Sequence, residues 1–261
     1  MGRRRLLTQE SIDSVRVTSP QAIRPAAEAL HAIALARGMR AAPAHDIADK
    51  RTPVDADGNI LASDVFGWSG DTKVWWRNSR IALDSPITTA CRFESQPFWV
   101  NAAGFHVRQP NSYLDSIDLT NFENRAMTRA AIVVPIHLPF GQIGAVSFNP
   151  LDPTHTDLTN EFLEHSDALG FYASTFIATY VHVMGSLQAL PAASRLSKRE
   201  VECLRWAAIG KTDLEISMIM SRSRATVRFH IHNASVKLDA VNRSQTVFKA
   251  SQLGYISLGK K

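Results

Sequence analysis

The sequence predicts an α+β chain: an N-terminal α-β-α sandwich followed by a small all-α domain of four helices. Three observations lead there. At 261 residues the chain exceeds one ordinary domain of ~100–200 residues, so two are expected. Residues 195–261 hold 13 Lys and Arg against 5 Asp and Glu, a charge of +8, whereas residues 1–194 hold 16 against 19, a charge of −3. Of the 21 aromatic residues only Trp206, Phe229, Phe248 and Tyr255 follow residue 194, so the front part has the material for a large core and an apolar pocket. The boundary falls in Leu190-Pro191-Ala192-Ala193-Ser194, a linker of small residues with one proline. The domains are therefore 1–189 and 195–261, joined by 190–194.

In the front domain, residues 22–37 read as a helix with Ala26, Ala29, Leu30, Ile33 and Leu35 at helical spacing. Residues 132–138 and 143–148 read as strands, with Phe140-Gly141-Gln142 as the hairpin turn. Residues 157–187 read as a long helix in which Phe162, Leu169, Phe176 and Val183 recur every seven residues. Helices around an antiparallel sheet make the α+β class. Asp55-Ala56-Asp57-Gly58-Asn59 hints at a calcium loop, but its twelfth position is Phe66, so a turn between strands is the expectation.

The basic end divides by its own punctuation. Ser197 with Glu200 is a capping box, followed by Val201, Leu204, Ala207 and Ala208, and Gly210 stops that helix. Thr212 with Glu215 opens a second helix with Leu214, Ile216 and Ile219 inside. Ser221 and Ser223 break it. A third helix runs from about Arg224 to Leu238, with Val227, Ile231, Ala234 and Leu238 as its apolar stripe. Asn242 caps a fourth, carried by Val247, Ala250 and Leu253 to Gly254. Two short helices, a tight turn and a longer basic helix form the helix-turn-helix layout, with the third helix in the major groove of double-stranded DNA. Arg222, Arg224, Thr226, Arg228, His230 and His232 lie near its start and on its polar sides, and Lys211 and Thr212 complete the candidate DNA-binding set. Arginine reads guanine with two bonds, and Lys, Arg and Thr hold phosphates. A solvated basic face is the plain alternative; the agreement of caps, turn and charge favours DNA.

These residues resemble a known domain. Leu196-Ser197-Lys198-Arg199-Glu200, Leu204, Gly210-Lys211-Thr212, Glu215-Ile216, Thr226-Val227, His230, Asn233, Lys237-Leu238 and Asn242-Arg243 are similar to the LuxR-type DNA-binding domain over nearly all of 195–256. By chain order the front half resembles the autoinducer-binding sensor domain of quorum-sensing LuxR regulators. Asp84 and Trp99 stand at that family's spacing, Ser85-Pro86-Ile87 resembles its Asp-Pro-hydrophobic run, and Ser147 matches a pocket serine. The resemblance implies that Asp84 accepts a hydrogen bond from the amide of an N-acyl-homoserine lactone and that Trp99 packs on the lactone ring. There are departures. Trp75 stands where the family has Tyr, and Asp71 where it has Trp; Trp68 takes that place only with an insertion. Ser85 displaces the usual Pro, and Ala131 replaces a Gly. These changes resemble divergent, synthase-less receptors, some of which answer to other small molecules. Trp75, Trp76 and Trp99 also fit a plain aromatic core, and Asp84 fits a helix cap before Pro86.

The resemblance implies a ligand-responsive homodimer with two recognition helices one DNA turn apart, dimerising through the fourth helix and the 157–187 helix. A small-molecule autoinducer and DNA are the expected partners, RNA polymerase is a further candidate, and no cofactor beyond the signal is expected. Other classes fit poorly. Cys91 and Cys203 exclude a disulfide framework, and reduced thiols suit the cytoplasm. His230 and His232 are two apart on a helix and make a poor metal pair. Gly210-Lys211-Thr212 imitates a phosphate-binding loop, but Arg205 stands where its first glycine belongs. No Ser-His-Asp, His-x-x-x-His or Gly-x-Ser-x-Gly pattern argues for an enzyme, and the arginine-rich start does not fit a phospho-receiver. Residues 168–194 carry no Asp, Glu, Lys or Arg, but Ser174, Thr175, Thr179, His182 and Ser186 dilute them, so a buried or partner-facing helix is expected in place of a membrane span. Arg3-Arg4-Arg5 reads as a solvated basic tail, because no apolar run follows it.

Overall fold

The computed structural model describes residues 9–48, 52–68, 84–185 and 195–257. The chain divides into two compact units, Met1–Leu138 with Gln142–Ser186 and Leu187–Lys261 with Pro139–Gly141. Among the described residues no helix is long and apolar enough to cross a membrane.

The described α-helices and strands of the first unit are α1 (Gln9–Asp13), α2 (Ile23–Leu35), β1 (Met39–Ala44), α3 (Leu61–Asp64), α4 (Pro86–Ala90), β2 (Phe98–Asn101), β3 (Gly104–His106), α5 (Phe122–Ala126), β4 (Ala130–His137), β5 (Ile143–Pro150) and α6 (Thr159–Val183). The sheet is antiparallel in the order β1-β5-β4-β2-β3. β4 is its centre and is buried along Ala130–Ile136, as its near-continuous apolar run requires. β2 pairs only with Ala130–Val133, so Pro135 lies where β4 has a named neighbour on one side, the place where a missing N–H is tolerated.

Period-two alternation divides the sheet into two faces. Phe98, Val100, Ala131, Val133 and Ala145 pack with Ile87, Ala90, Cys91, Leu114 and Phe122 on one of them. Ile132, Val134, Val146 and Phe148 point the other way, where α6 contacts β4 and α2 contacts β1. Gly144 permits this approach: a Cβ there would stand 2.7 Å from Cγ2 of Ile177 on α6 and 3.1 Å from the Ala44 carbonyl. Phe162, Leu169 and Phe176 of the seven-residue stripe are buried, and Val183 is half-buried at the end of α6. On α2 the buried set is Ile23, Ala26, Ala27, Leu30 and Ala34, while Leu35 faces outward, because it is one position past the stripe.

Asp55 closes a turn between the bridged residues Val54 and Ile60. Its buried carboxylate accepts from the N–H groups of Asp57 and Asn59, from Asn59 Nδ2 and from Arg24 Nε. The protein's own donors thus occupy this side chain.

Among the described residues the second unit has four helices: α7 (Lys198–Ala208), α8 (Asp213–Ile219), α9 (Arg224–Lys237) and α10 (Arg243–Gln252). All four start on side-chain caps, those expected of Ser197, Thr212 and Asn242 and also Ser223, expected only as a break; the first two form complete capping boxes. Gly210 turns the chain with φ +88°, the left-handed region that a Cβ disfavours. Val227, Ile231, Ala234 and Leu238 are buried as their stripe requires. On α8 only Ile216 of the three expected apolar residues is buried. Leu214 and Ile219 are 51% and 44% exposed: Leu214 stands two positions from Ile216 and so on another side of the helix, and Ile219 is the helix's last residue.

Candidate functional site

The first unit contains a cavity of about 300 Å³ on the sheet face away from α6. β1 contributes Ala42, Pro43 and Ala44, β5 contributes Ala145, Ser147 and Asn149, and β4 contributes Val133. The alternation of β5 places residues 145, 147 and 149 on one face, and pairing sets Ser147 opposite Ala42 and Val133. The remaining described wall is Ile47, Ala62, Trp68, Ser85, Ile87, Thr88, Cys91, Ala126 and Met127. None of these described lining residues is ionic. Its hydroxyls and amide are Ser85, Thr88, Ser147 and Asn149, and its alanines leave room beside flat apolar walls. The Trp68 indole donates to the Ala41 carbonyl at 2.7 Å, which fixes the ring against the wall. Burial pushes the Cys91 thiol up to about 12, so it acts as a small apolar group. A wall of this size, apolar with a few oriented polar groups, suits a small neutral molecule.

The sequence-derived ligand residues are not all brought together. Ser147 lies in the cavity wall. Asp84 does not line it: its side chain is 63% exposed and Oδ2 lies 3.5 Å from Arg125 Nε. Arg125 also donates to the Asp84 carbonyl at 3.1 and 2.9 Å and to Asp118 and Thr120, which holds α5 to the segment before α4. The expected buried carboxylate is thus an exposed one, one residue outside the wall formed by Ser85. Nor is Asp84 the cap of α4, whose N-cap is Ser85. Trp99 is on the wrong face. It pairs with Ile132, whereas Val133 pairs with Ser147, so Trp99 and Ser147 point to opposite sides of the sheet. Trp99 is buried and stacks on His106 with centroids 3.7 Å apart. Trp75 and Asp71 lie outside the described residues. Trp68, which ungapped spacing set aside, lies in the wall.

The second unit presents a basic helix face. On α9, Arg224, Ala225, Arg228, Phe229, His232 and Val236 are exposed and fall on one side by helical geometry, opposite Val227, Ile231 and Ala234. Arg222 is exposed just before the helix. His230 is half-buried on another flank of the helix, away from Arg228. Thr226 Oγ1 is 2.8 Å from Ser223 Oγ, the cap of α9, so its hydroxyl first serves the helix start. Thr212 likewise bonds Glu215, and Lys211 Nζ reaches Glu215 Oε1 at 3.1 Å. Those two serve α8 locally and are not on the exposed face of α9. Phe229 and Val236, 60% and 66% exposed, were missed by a search for polar readers. Their position off the apolar stripe of α9 was the available signal. The face offers paired guanidinium donors with apolar surface between them, the composition that suits base edges and thymine methyls.

A family model described as bacterial regulatory proteins, luxR family, matches residues 194–250. Over 205 residues the chain is 39% identical to RpaR of Rhodopseudomonas palustris, an HTH-type quorum sensing-dependent transcriptional regulator, covering 74% of each chain. It is 37% identical over 134 residues to VanR, a transcriptional activator protein of Vibrio anguillarum, covering 49% of this chain. That match spans about half of VanR, 52% of its length. Among solved structures, SdiA in complex with octanoyl-rac-glycerol aligns with 94% of this chain and 92% of its own at 18% identity and a TM-score of 0.48.

Proposed function

Because the chain belongs to the luxR family of bacterial regulatory proteins, we propose that it is a ligand-responsive, sequence-specific DNA-binding transcriptional regulator of quorum-sensing type. The observation that carries this reading is the exposed face of α9, where Arg224, Arg228 and His232 stand together on a helix whose opposite side is buried. We place α9 in the major groove of double-stranded DNA and the chain in the cytoplasm. Homodimerisation is part of the proposal. Leu163 and Phe171 on α6, and Phe248 on α10 with Val241 just before it, are exposed apolar residues that a second copy can cover.

We propose an N-acyl-homoserine lactone as the signal. In this reading Asp84 leaves Arg125 and turns past Ser85 into the cavity, where it accepts from the ligand amide. A second reading, a neutral molecule other than a lactone, is favoured by the outward Asp84 and by the uncharged described wall. Such a ligand bonds Ser147, Asn149 or Thr88 and leaves the Asp84–Arg125 pair closed.

The test of the DNA reading is binding of the full-length chain to duplex DNA as a function of salt. The expected result is affinity that falls steeply, with a log–log slope of ~0.9 per neutralised phosphate. Absence of any salt-sensitive duplex binding, with and without a lactone panel, overturns it.

A further inference from the structure

We propose that Asp213 is a specificity-determining residue: it buttresses Arg228 from the Nε side, so that the guanidinium presents its two terminal N–H edges to a guanine. This rests on the DNA-binding reading above. Asp213 is the first residue of α8, and Arg228 lies on the exposed face of α9. Oδ2 of Asp213 accepts from Arg228 Nε at 3.4 Å. The other carboxylate oxygen, Oδ1, is held by Arg243 Nη1 at the start of α10. Arg243 in turn donates through Nη2 to the Lys211 carbonyl at 2.7 Å. One carboxylate therefore joins three helices, and its position is set from behind before it meets Arg228.

The geometry separates this contact from ordinary surface pairing. The Asp213 side chain is 19% exposed, whereas that of Arg228 is 62% exposed. A half-enclosed acceptor thus lies at the base of an exposed guanidinium. Such a pair contributes little to stability, and Arg243 already serves Asp213. What the contact does fix is direction. An arginine engaged at Nε keeps Nη1 and Nη2, whose hydrogens match the O6 and N7 acceptors of guanine. An unbuttressed arginine on the same helix swings to the nearest phosphate, which carries no sequence information. The charge argues the same way. A carboxylate beside a DNA-binding face lowers affinity for all duplexes, so it lowers non-specific binding while leaving the oriented base contact available. The two together widen the gap between the right site and the rest.

The experiment selects binding sites for the full-length wild type from a randomised duplex pool. It then compares each selected site with the same site carrying 7-deazaguanine at single positions, which removes the N7 acceptor. Wild type is expected to lose about tenfold in affinity at one guanine per half-site. Asp213→Asn is expected to bind random duplex severalfold more tightly at low salt, because a negative charge has left the surface, and to lose most of that tenfold discrimination. In an Arg228→Ala background, Asp213→Asn is expected to leave discrimination unchanged, as a residue acting through Arg228 must. If Asp213→Asn weakens selected and random duplexes alike and lowers the melting temperature, Asp213 is structural and the proposal fails. Full guanine discrimination in Asp213→Asn with an intact melt also overturns it. A wild type with no salt-sensitive binding to any duplex overturns instead the DNA-binding reading on which it rests.

Discussion

Lys237 Nζ, on the last residue of α9, stands 2.9 and 2.8 Å from the two carboxylate oxygens of Glu200 in the first turn of α7. Glu200 is buried, and its Oε2 also accepts from the Ser197 N–H at 2.6 Å. The capping box of α7 and the end of the basic helix therefore share one side chain. Lys237→Met keeps the aliphatic stem and removes the charge, leaving the buried carboxylate with only its cap. The expected cost is about 1–3 kcal/mol, toward the lower end because a third of the Lys237 side chain is exposed, 33%. Amide hydrogen exchange checks it: the α7 and α9 amides should exchange faster while those of α6 do not change.

Acid should act on both units through carboxylates held well below their ordinary range. Bonds from Asn59, with Arg24 and Asp57, hold the Asp55 carboxyl at about 2 despite opposing burial. The Thr212 N–H, with Lys211 and the Thr212 hydroxyl, does the same for Glu215, also to about 2. Burial pushes the Glu200 carboxyl up, but Lys237 and Ser197 outweigh it and the net direction is down. A depressed carboxylate stabilises the folded state above its unfolded pKa of ~4, and that stabilisation is lost as pH falls toward the folded value. Melting temperature should accordingly be flat from neutral to mildly acidic pH and fall from about pH 4 toward 2. Asp55→Asn should lower the neutral melt of the first unit and flatten its acid limb. An acid limb as steep in the variant as in the wild type would exclude Asp55 as a source of the pH dependence.

The second unit was legible because its signals are local. Ser197, Thr212, Ser223 and Asn242 each cap a helix within three residues of themselves, and Gly210 marks its own turn. Long helices were legible through periodicity, as Phe162, Leu169 and Phe176 show. The pocket was not. Whether Trp99 faces Ser147 depends on the β2–β4–β5 register, and a shift of one residue would reverse it. Asp84 carries no local sign that Arg125, 41 residues later, binds it. The Asp213–Arg228–Arg243 cluster is equally non-local, assembled only when three helices pack. Leu214 misled because hydrophobicity was read without angle, and Ile219 because it ends a helix of only seven residues.

Phe229 supplies a prediction that charge alone would not. It stands 60% exposed beside Arg228 and His232, and burying a methyl-sized group against such a ring is worth about 0.8 kcal/mol. If it packs on a thymine C5-methyl, replacing that thymine by deoxyuridine in a selected site should weaken wild-type binding three- to fourfold. Phe229→Ala should bind both duplexes equally and at the weaker level. The salt slope should stay the same, since no phosphate contact is lost. A uniform loss across all sequences would instead assign Phe229 to packing.

The cavity can be separated from the Asp84 pair by two variants. Ala145→Leu adds bulk to the wall beside Ser147 and should abolish any ligand-dependent thermal shift, for a lactone and for another neutral molecule alike, because both occupy the same space. Asp84→Asn discriminates between them. A lactone amide donating to a carboxylate gains ~1.5–3 kcal/mol over no bond, so losing the charge should weaken lactone binding by roughly ten- to a hundredfold. Its effect on the unliganded melt should be small, since the ion pair to Arg125 is exposed. A ligand held by Ser147 and Asn149 should respond to Asp84→Asn hardly at all and to Ser147→Ala by several fold. The measurement is the thermal shift of wild type, Ala145→Leu, Asp84→Asn and Ser147→Ala across a panel of lactones and other small neutral molecules. A wild-type response that survives Ala145→Leu would place the ligand outside this cavity. A lactone response that survives Asp84→Asn undiminished would leave the carboxylate as a partner of Arg125 alone, and the amide would then have to be met by the hydroxyls of the wall.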